Sequence, residues 1–337
     1  MRMIPATLAL CLALCLTPAR AEDGPDLAPT RVLDTVVVSG KQPGPGLWRV
    51  SKGGHELWLL GTLSPLPRRM EWSTEEVEAA IAKSQAVLMP PSVGIRAKAA
   101  LGGLFLLPAM LRARNNPDKE TLQELLPEAD YRRWLKLKQR HLGRDRGVEK
   151  RRPIVAAAEL YAEALEDSDL SEKNIAARVV ERAAKRNDLE MLHPSVEMVI
   201  EDPKATLKEL SGSAFDDLEC FRRSLDQVES DLETMKLRAN AWALGEIGIL
   251  RSRPLNNASQ SCMDALLQNR VAKKLGMDDL PARVEATWLD AAEGVLAKHP
   301  RSFGLLRMDH LLRSDGLLAK LEARGYVVQP PAESRSD

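Results

Sequence analysis

The sequence predicts an α/β (α+β) fold in which the N- and C-terminal segments form one mixed β-sheet around a large helical insertion. Two short apolar runs near the start are separated by glycines, the final third returns to strand–helix–strand rhythm, and the stretch between them carries mainly helical periodicity. Leu47–Ser51 and Glu56–Gly61 flank Lys52-Gly53-Gly54-His55 and form a predicted β-hairpin. Ser73-Thr74-Glu75-Glu76 has the pattern of a capping box, and Val77 and Ile81 give the helix behind it, running to about Ser84, one apolar face. Ala86–Met89 is a short strand stopped by Pro90-Pro91.

From Ala97 to about Lys298 strand candidates are few, Ser195–Ile200 being one. Pro153 suits the first turn of a helix whose Ile154, Ala158, Tyr161 and Leu165 fall on one side. A helix over about Phe215–Leu250 is expected, with a kink at the glycines 245 and 248. The end is predicted as strand Phe303–Leu306, helix Leu311–Arg324 and strand Gly325–Val328.

The first residues have the form of an export signal. Arg2 precedes an apolar run from Met3 to Leu16, and Ala19-Arg20-Ala21 places small residues at alternate positions, so cleavage after Ala21 is expected. The run is shorter than the roughly 20 apolar residues of a spanning helix. A periplasmic or secreted protein is the expectation. Removing residues 1–21 takes away Arg2 and Arg20 and no acid, so 48 bases against 48 acids become 46 against 48. A balance this close to neutral argues against nucleic acid as a partner. Residues 22–45 form a flexible linker with Val36–Val38 as one candidate edge strand, residues 46–331 the folded domain with its helical lobe at about 97–298, and residues 332–337 a disordered tail.

Of four cysteines, only Cys220 and Cys262 survive maturation, and two cysteines in an oxidising compartment are more often paired than free. A disulfide is expected; a redox or nucleophilic role has no CxxC spacing to support it.

Strand-to-helix turns are where a backbone comes close to a ligand. Gly61-Thr62-Leu63-Ser64 and Arg307-Met308-Asp309-His310 are two such turns. Leu-Gly-Thr-Leu-Ser-Pro at 60–65, Trp72, His310-Leu311, Gly316-Leu317-Leu318, Leu321 and Arg324-Gly325-Tyr326-Val327-Val328 together resemble the TraB/PrgY/GumN family, relatives of the Tiki-type metalloproteases. That resemblance implies a Tiki/TraB-like hydrolase scaffold. It also implies a GxxH turn at each end, with two histidines and an acidic residue holding a divalent metal that activates water.

Carried over position by position, Gly61 and His310 match the family pattern. Ser64 stands in place of the first histidine, Arg307 in place of the second turn's glycine, and Leu88-Met89-Pro90 where a strand often ends in glutamate. The family's Arg-Asn pair is missing, Arg283, Val284 and Glu285 being nearest. A serine hydroxyl is a poor zinc ligand beside imidazole, which leaves His310 as the one metal ligand the pattern supplies. The resemblance, so altered, implies either a pseudoenzyme that binds a ligand or partner or a hydrolase, metallopeptidase-like, with an atypical site.

For the latter, Ser64, His310 and Asp309 are the catalytic candidates, with Gly61, Thr62 and Arg307 as ligand contacts. Nucleophilic use of Ser64 would need His310 within hydrogen-bond reach and a third group orienting the imidazole. The plainer role for His310 is a buried, hydrogen-bonded histidine. Glu197 is a candidate substitute for the acidic position, or an exposed strand residue. His55, His141, His193 and His299 occupy turn, basic or pre-proline positions and are not singled out.

No cofactor beyond a divalent metal is implied, and the partners in view are a peptide, a small molecule or an envelope protein. Ten bases between Arg132 and Arg152 face two acids, a pattern that fits a solvated helix face balanced by acids such as Asp216, Asp217 and Glu219, or contact with anionic lipid. Ala99–Leu111 is apolar but short: a core helix, a cleft lid, or a peripheral membrane contact.

Overall fold

Hydrophobic patterning places the centre of the molecule on two strands whose residues are apolar on both faces. In the computed structural model, which describes residues 40–98, 106–212, 217–253 and 258–332, these are β2 (His55–Thr62) and β9 (Arg301–Arg307). Leu57, Leu59, Leu60, Phe303, Leu305 and Leu306 have no exposed surface. Continuous burial of this kind belongs to parallel neighbours covered by helices, and β2 and β9 pair in parallel from Glu56–Arg301 to Thr62–Arg307.

The other strands are β1 (Leu47–Lys52), β3 (Leu66–Pro67), β4 (Ala86–Leu88), β5 (Ser92–Ala97), β6 (Leu170–Ser171), β7 (Glu190–Leu192), β8 (Ser195–Ile200) and β10 (Val327–Gln329). The main sheet runs β10-β1-β2-β9-β4-β7, antiparallel across β10-β1-β2 and parallel beyond. The two-stranded pairs β3–β6 and β5–β8 stand apart from it. The β1–β2 turn uses Gly53 and Gly54 at φ 59° and 86°, backbone that glycine adopts without penalty.

The mixed sheet joining the two ends of the chain is as the sequence predicts, and the structure adds a strand from the middle. β7 extends the sheet beyond β4. Three residues cannot display alternation, and its pairing is made across about a hundred residues, so no local signal marks it.

The helix Leu280–Lys298 packs on β2, β4 and β9, burying Trp288, Leu289, Ala292, Val295 and Leu296. The helix Glu75–Ala82 buries Val77 and Ile81 and packs on β9 and on the helix Ile175–Arg186. A second core gathers Leu122, Trp134, Leu137, Ala156, Leu160, Phe221 and Leu225 in the helical middle, with Trp134 and Phe221 ring centroids 5.7 Å apart. Cys220, on Leu218–Asp226, and Cys262, on Ala258–Gln268, have their sulfurs 2.01 Å apart.

Several local expectations are corrected. The helix Pro153–Asp167 buries Leu165 as expected, but otherwise Ala156, Ala157, Leu160 and Ala164, while Ala158 is exposed and Ile154 and Tyr161 are half-buried, because the neighbouring helices pack on a rotated stripe. No capping box forms at Ser73: its hydroxyl donates to Glu75 and that of Thr74 to Glu78. A capping box forms instead at Thr121, which shares both its backbone N–H and its hydroxyl with Glu124. The long helix before residue 250 ends at Gly245, left-handed at φ 74°, and Gly248 sits inside the next helix. The predicted helix Leu311–Arg324 is two, Met308–Leu312 and Leu317–Ala323, divided at Arg313–Gly316 where Arg313 turns to grip Asp315.

Five of the ten bases in the stretch 132–152, Arg132, Arg133, Lys138, Arg151 and Arg152, have ion-pair or side-chain hydrogen-bond partners within the protein. Arg133 meets Asp226 and Glu229, Lys138 meets Glu149, and Arg151 meets Glu159. Arg152 is buried and donates to the carbonyls of Ala113, Leu210 and Ser211, a structural role. The helix Leu107–Ala113 buries none of its residues, so the described part of the apolar segment is not a core helix. Among the described residues no helix is long and apolar enough to cross a membrane. The signal segment, nearly all of the linker with Val36–Val38, residues 99–105, Asp216 and residues 333–337 lie outside the described residues.

Candidate functional site

Parallel pairing of β2 and β9 has a direct consequence for the two glycine- and histidine-bearing turns. The strands end on the same rung, Thr62 opposite Arg307, so both turns leave the same edge of the sheet side by side. Such an edge is where open parallel sheets bind ligands. Gly61 is tightly packed: a Cβ there would lie 2.6 Å from Met308 Cε and 2.8 Å from Leu311 Cδ1, ends of side chains that would have to move. Its carbonyl accepts the indole N–H of buried Trp242 at 2.7 Å, and Thr62 beside it is buried.

The polar groups of the turns are engaged locally. Ser64 is exposed, and its hydroxyl donates to the Glu172 carbonyl at 3.2 Å. Arg307 holds Asp309 through both Nε and Nη2 at 3.0 Å each, the bidentate fork that guanidinium and carboxylate favour. Burial pushes the Asp309 carboxyl up, but the hydrogen bonds and charge of Arg307 outweigh it and hold the group below the ordinary aspartate value.

His310 sits in the short helix Met308–Leu312, partly buried. Burial lowers its pKa, opposed by the charges of Asp309 and Glu285 and reinforced by those of Arg307 and Arg313. The imidazole is therefore neutral at neutral pH, and its Nδ1 is buried without a hydrogen-bond partner among the described residues. Glu285, on the helix Leu280–Lys298, is ion-paired with Lys320. Its neighbour Arg283 bonds Asp279 and the Gly276 carbonyl.

Among the described residues no side-chain to side-chain hydrogen bond joins Ser64, His310 and Asp309, each of the two oxygen groups having another partner. Nor do the residues fit a resident metal. The serine donates to a carbonyl, the nearby carboxylates are held by Arg307 and Lys320, and one imidazole remains. No group of three or more His, Cys, Asp or Glu able to hold a metal occurs among the described residues. Pro90 follows the end of β4, and Glu197 lies on β8 in an ion pair with Arg96, in a two-stranded sheet separate from that of β9.

Three of the four remaining histidines have a partner or a capping position, His55 with the Leu296 carbonyl, His141 with Asp167, and His299 at the end of Leu280–Lys298, and His193 lies between β7 and β8. Sequence reasoning missed Trp242 and Lys320 at this site and named Glu285 only as lying nearest to where the resemblance implies an Arg-Asn pair. A tryptophan in a chain with 4% aromatic residues was the one signal available for the first; Lys320 arrives through tertiary packing alone.

The chain belongs to the TraB/PrgY/gumN family, whose family model matches residues 46–330. No curated protein and no solved structure matches it.

Proposed function

We propose that this chain is an exported family member whose metal site is degenerate, and that it acts as a ligand- or partner-binding protein through the cleft between the Ser64 and His310 turns. The observation that carries this reading is the internal use of the turns' polar groups, above all the Arg307–Asp309 fork, which occupies the carboxylate next to the one remaining histidine. Tag-free protein titrated with zinc, manganese and cobalt is expected to take up none of them stoichiometrically. Stoichiometric uptake of any one would overturn the reading. The reverse experiment is Ser64→His. If the two turns form one cleft, a second imidazole raises zinc affinity by about tenfold or more, and unchanged affinity would show that they do not converge.

One observation favours a second reading, a hydrolase with an atypical site. A neutral imidazole with an unpartnered ring nitrogen is the state a general base requires. Ser64→Ala and His310→Gln should then each abolish turnover of peptide and ester substrates, and activity retained in both would end this reading. For location, we propose that residues 1–21 are removed on export and that Cys220 and Cys262 are disulfide-bonded in the periplasm or outside the cell. N-terminal sequencing of fractionated protein tests the first point.

A further inference from the structure

A groove of about 660 Å³ lies away from the His310 turn, between the segment Arg68–Trp72 and the helix Ile175–Arg186. That volume is in the range of pockets that enclose organic ligands. Its apolar part is formed by Met70, Trp72, Ile175 and Val179, and Trp72 is held in place by an edge-on contact with Trp242, centroids 5.4 Å apart. Its charged lining is Lys41, Arg68, Arg178 and Arg182 against Glu71 and Glu181.

Two of the cations are already engaged, Lys41 with Glu75 and Arg68 with Glu166. Arg178 and Arg182 are not. Among the described residues neither has a carboxylate within 4.0 Å; the side-chain bond that Arg182 does make is Nε to the Arg178 carbonyl. Their neighbour one turn on, Arg186, does pair, with Glu78. Like charges four residues apart on a helix repel and weaken it slightly, so the charge of this pair is not explained by helix stability. A bound anion would reverse the sign of that interaction, and the guanidinium fork suits carboxylate, phosphate or sulfonate oxygens.

We infer that this groove is a binding site for an amphiphilic organic anion, its acidic group held by Arg178 and Arg182 and its apolar body laid on Met70, Trp72, Ile175 and Val179. The site is independent of any chemistry at His310, so loss of one assignment leaves the other intact.

The test uses 8-anilinonaphthalene-1-sulfonate, an aromatic sulfonate, with N-phenyl-1-naphthylamine as its uncharged counterpart, on the full mature chain. One saturable sulfonate site is expected, with affinity reduced about tenfold or more in Arg178→Gln/Arg182→Gln and unchanged in Arg146→Gln, an exposed cation of the stretch 132–152 that does not line the groove. The double variant should fold with an unfolding midpoint no lower than the parent's, since it relieves repulsion. Dodecanoate and dodecyl phosphate compete in separate arms and distinguish a carboxylate from a phosphate ligand. In the parent protein alone, affinity should fall as ionic strength rises, a measurement that needs no variant. Equal binding of the uncharged probe, salt-independent affinity, or full affinity in a folded double variant would each overturn the assignment.

Discussion

Arg307 and Asp309, two residues apart at the end of the central strand, close a bidentate ion pair at 3.0 Å on both arms. The resemblance read from the sequence implies a glycine at position 307 and a metal-binding histidine at 310. The Arg307–Asp309 pair makes this turn a self-satisfied electrostatic clasp, and the behaviour of the turn follows from it.

Arg307→Gln should release the Asp309 carboxyl. In the parent its folded pKa lies below the unfolded value of about 3.9. The group therefore contributes stability that is complete above that value and lost as pH falls through the folded one. Without Arg307, burial prevails and the folded pKa moves above the unfolded value, so the contribution changes sign: in the variant it is lost as pH rises through the folded value. Carbon-detected NMR titration of Asp309 in parent and variant reads this directly; an unmoved carboxyl would contradict it.

His310 also favours neutral pH. Burial places its folded pKa below the unfolded value of about 6.5, so just below that pH the unfolded chain binds the extra proton. The stability from the neutral buried ring is full above about 6.5 and is lost as pH falls through the folded value. His310→Gln should flatten denaturation midpoints measured across that interval, and an unchanged slope would show that another group is responsible.

Two glycines in these turns differ in what surrounds them. A Cβ at Gly61 meets the movable ends of Met308 and Leu311, so Gly61→Ala should cost about 1–3 kcal/mol, as overpacking does. A Cβ at Gly316 would lie 2.5 Å from the His310 carbonyl and 3.0 Å from that of Arg313. Backbone cannot step aside, and Gly316→Ala should be the more destabilising in urea unfolding. The opposite ranking would show that the turn after His310 is the softer of the two.

If Cys220 and Cys262 are joined in the mature protein, the link closes a loop 42 residues long. Chain-entropy reasoning assigns such a link about 4 kcal/mol. Cys262→Ser should lower the unfolding midpoint accordingly, and thiol labelling of the denatured parent should find neither cysteine free. Two labelled thiols would remove the disulfide from the account.

The glycine turn of the first hairpin, the buried Val77–Ile81 face and the strand around Phe303 could be read locally, because each depends on neighbours a few residues away. The strand β7, the rotated stripe on Pro153–Asp167 and the split at Gly316 could not. A three-residue parallel strand carries no period, and which apolar stripe is buried depends on the helices that arrive to cover it. At the site, Gly61, Ser64 and His310 were visible as turn residues with family positions, whereas the partners that determine their chemistry were not.

The sequence by itself determined the family, the mixed sheet joining both chain ends, and the departures at Ser64 and Arg307, since these reside in residue identity and short-range pattern. Tertiary structure alone decided that the two turns leave one sheet edge on the Thr62–Arg307 rung, that Glu285 is brought beside His310 yet held by Lys320, and that Arg178 and Arg182 border a groove without a carboxylate partner among the described residues. Each of these is a relation between groups distant in the chain. The free energy that establishes it comes from burying the core between them, which no local stretch of sequence contains.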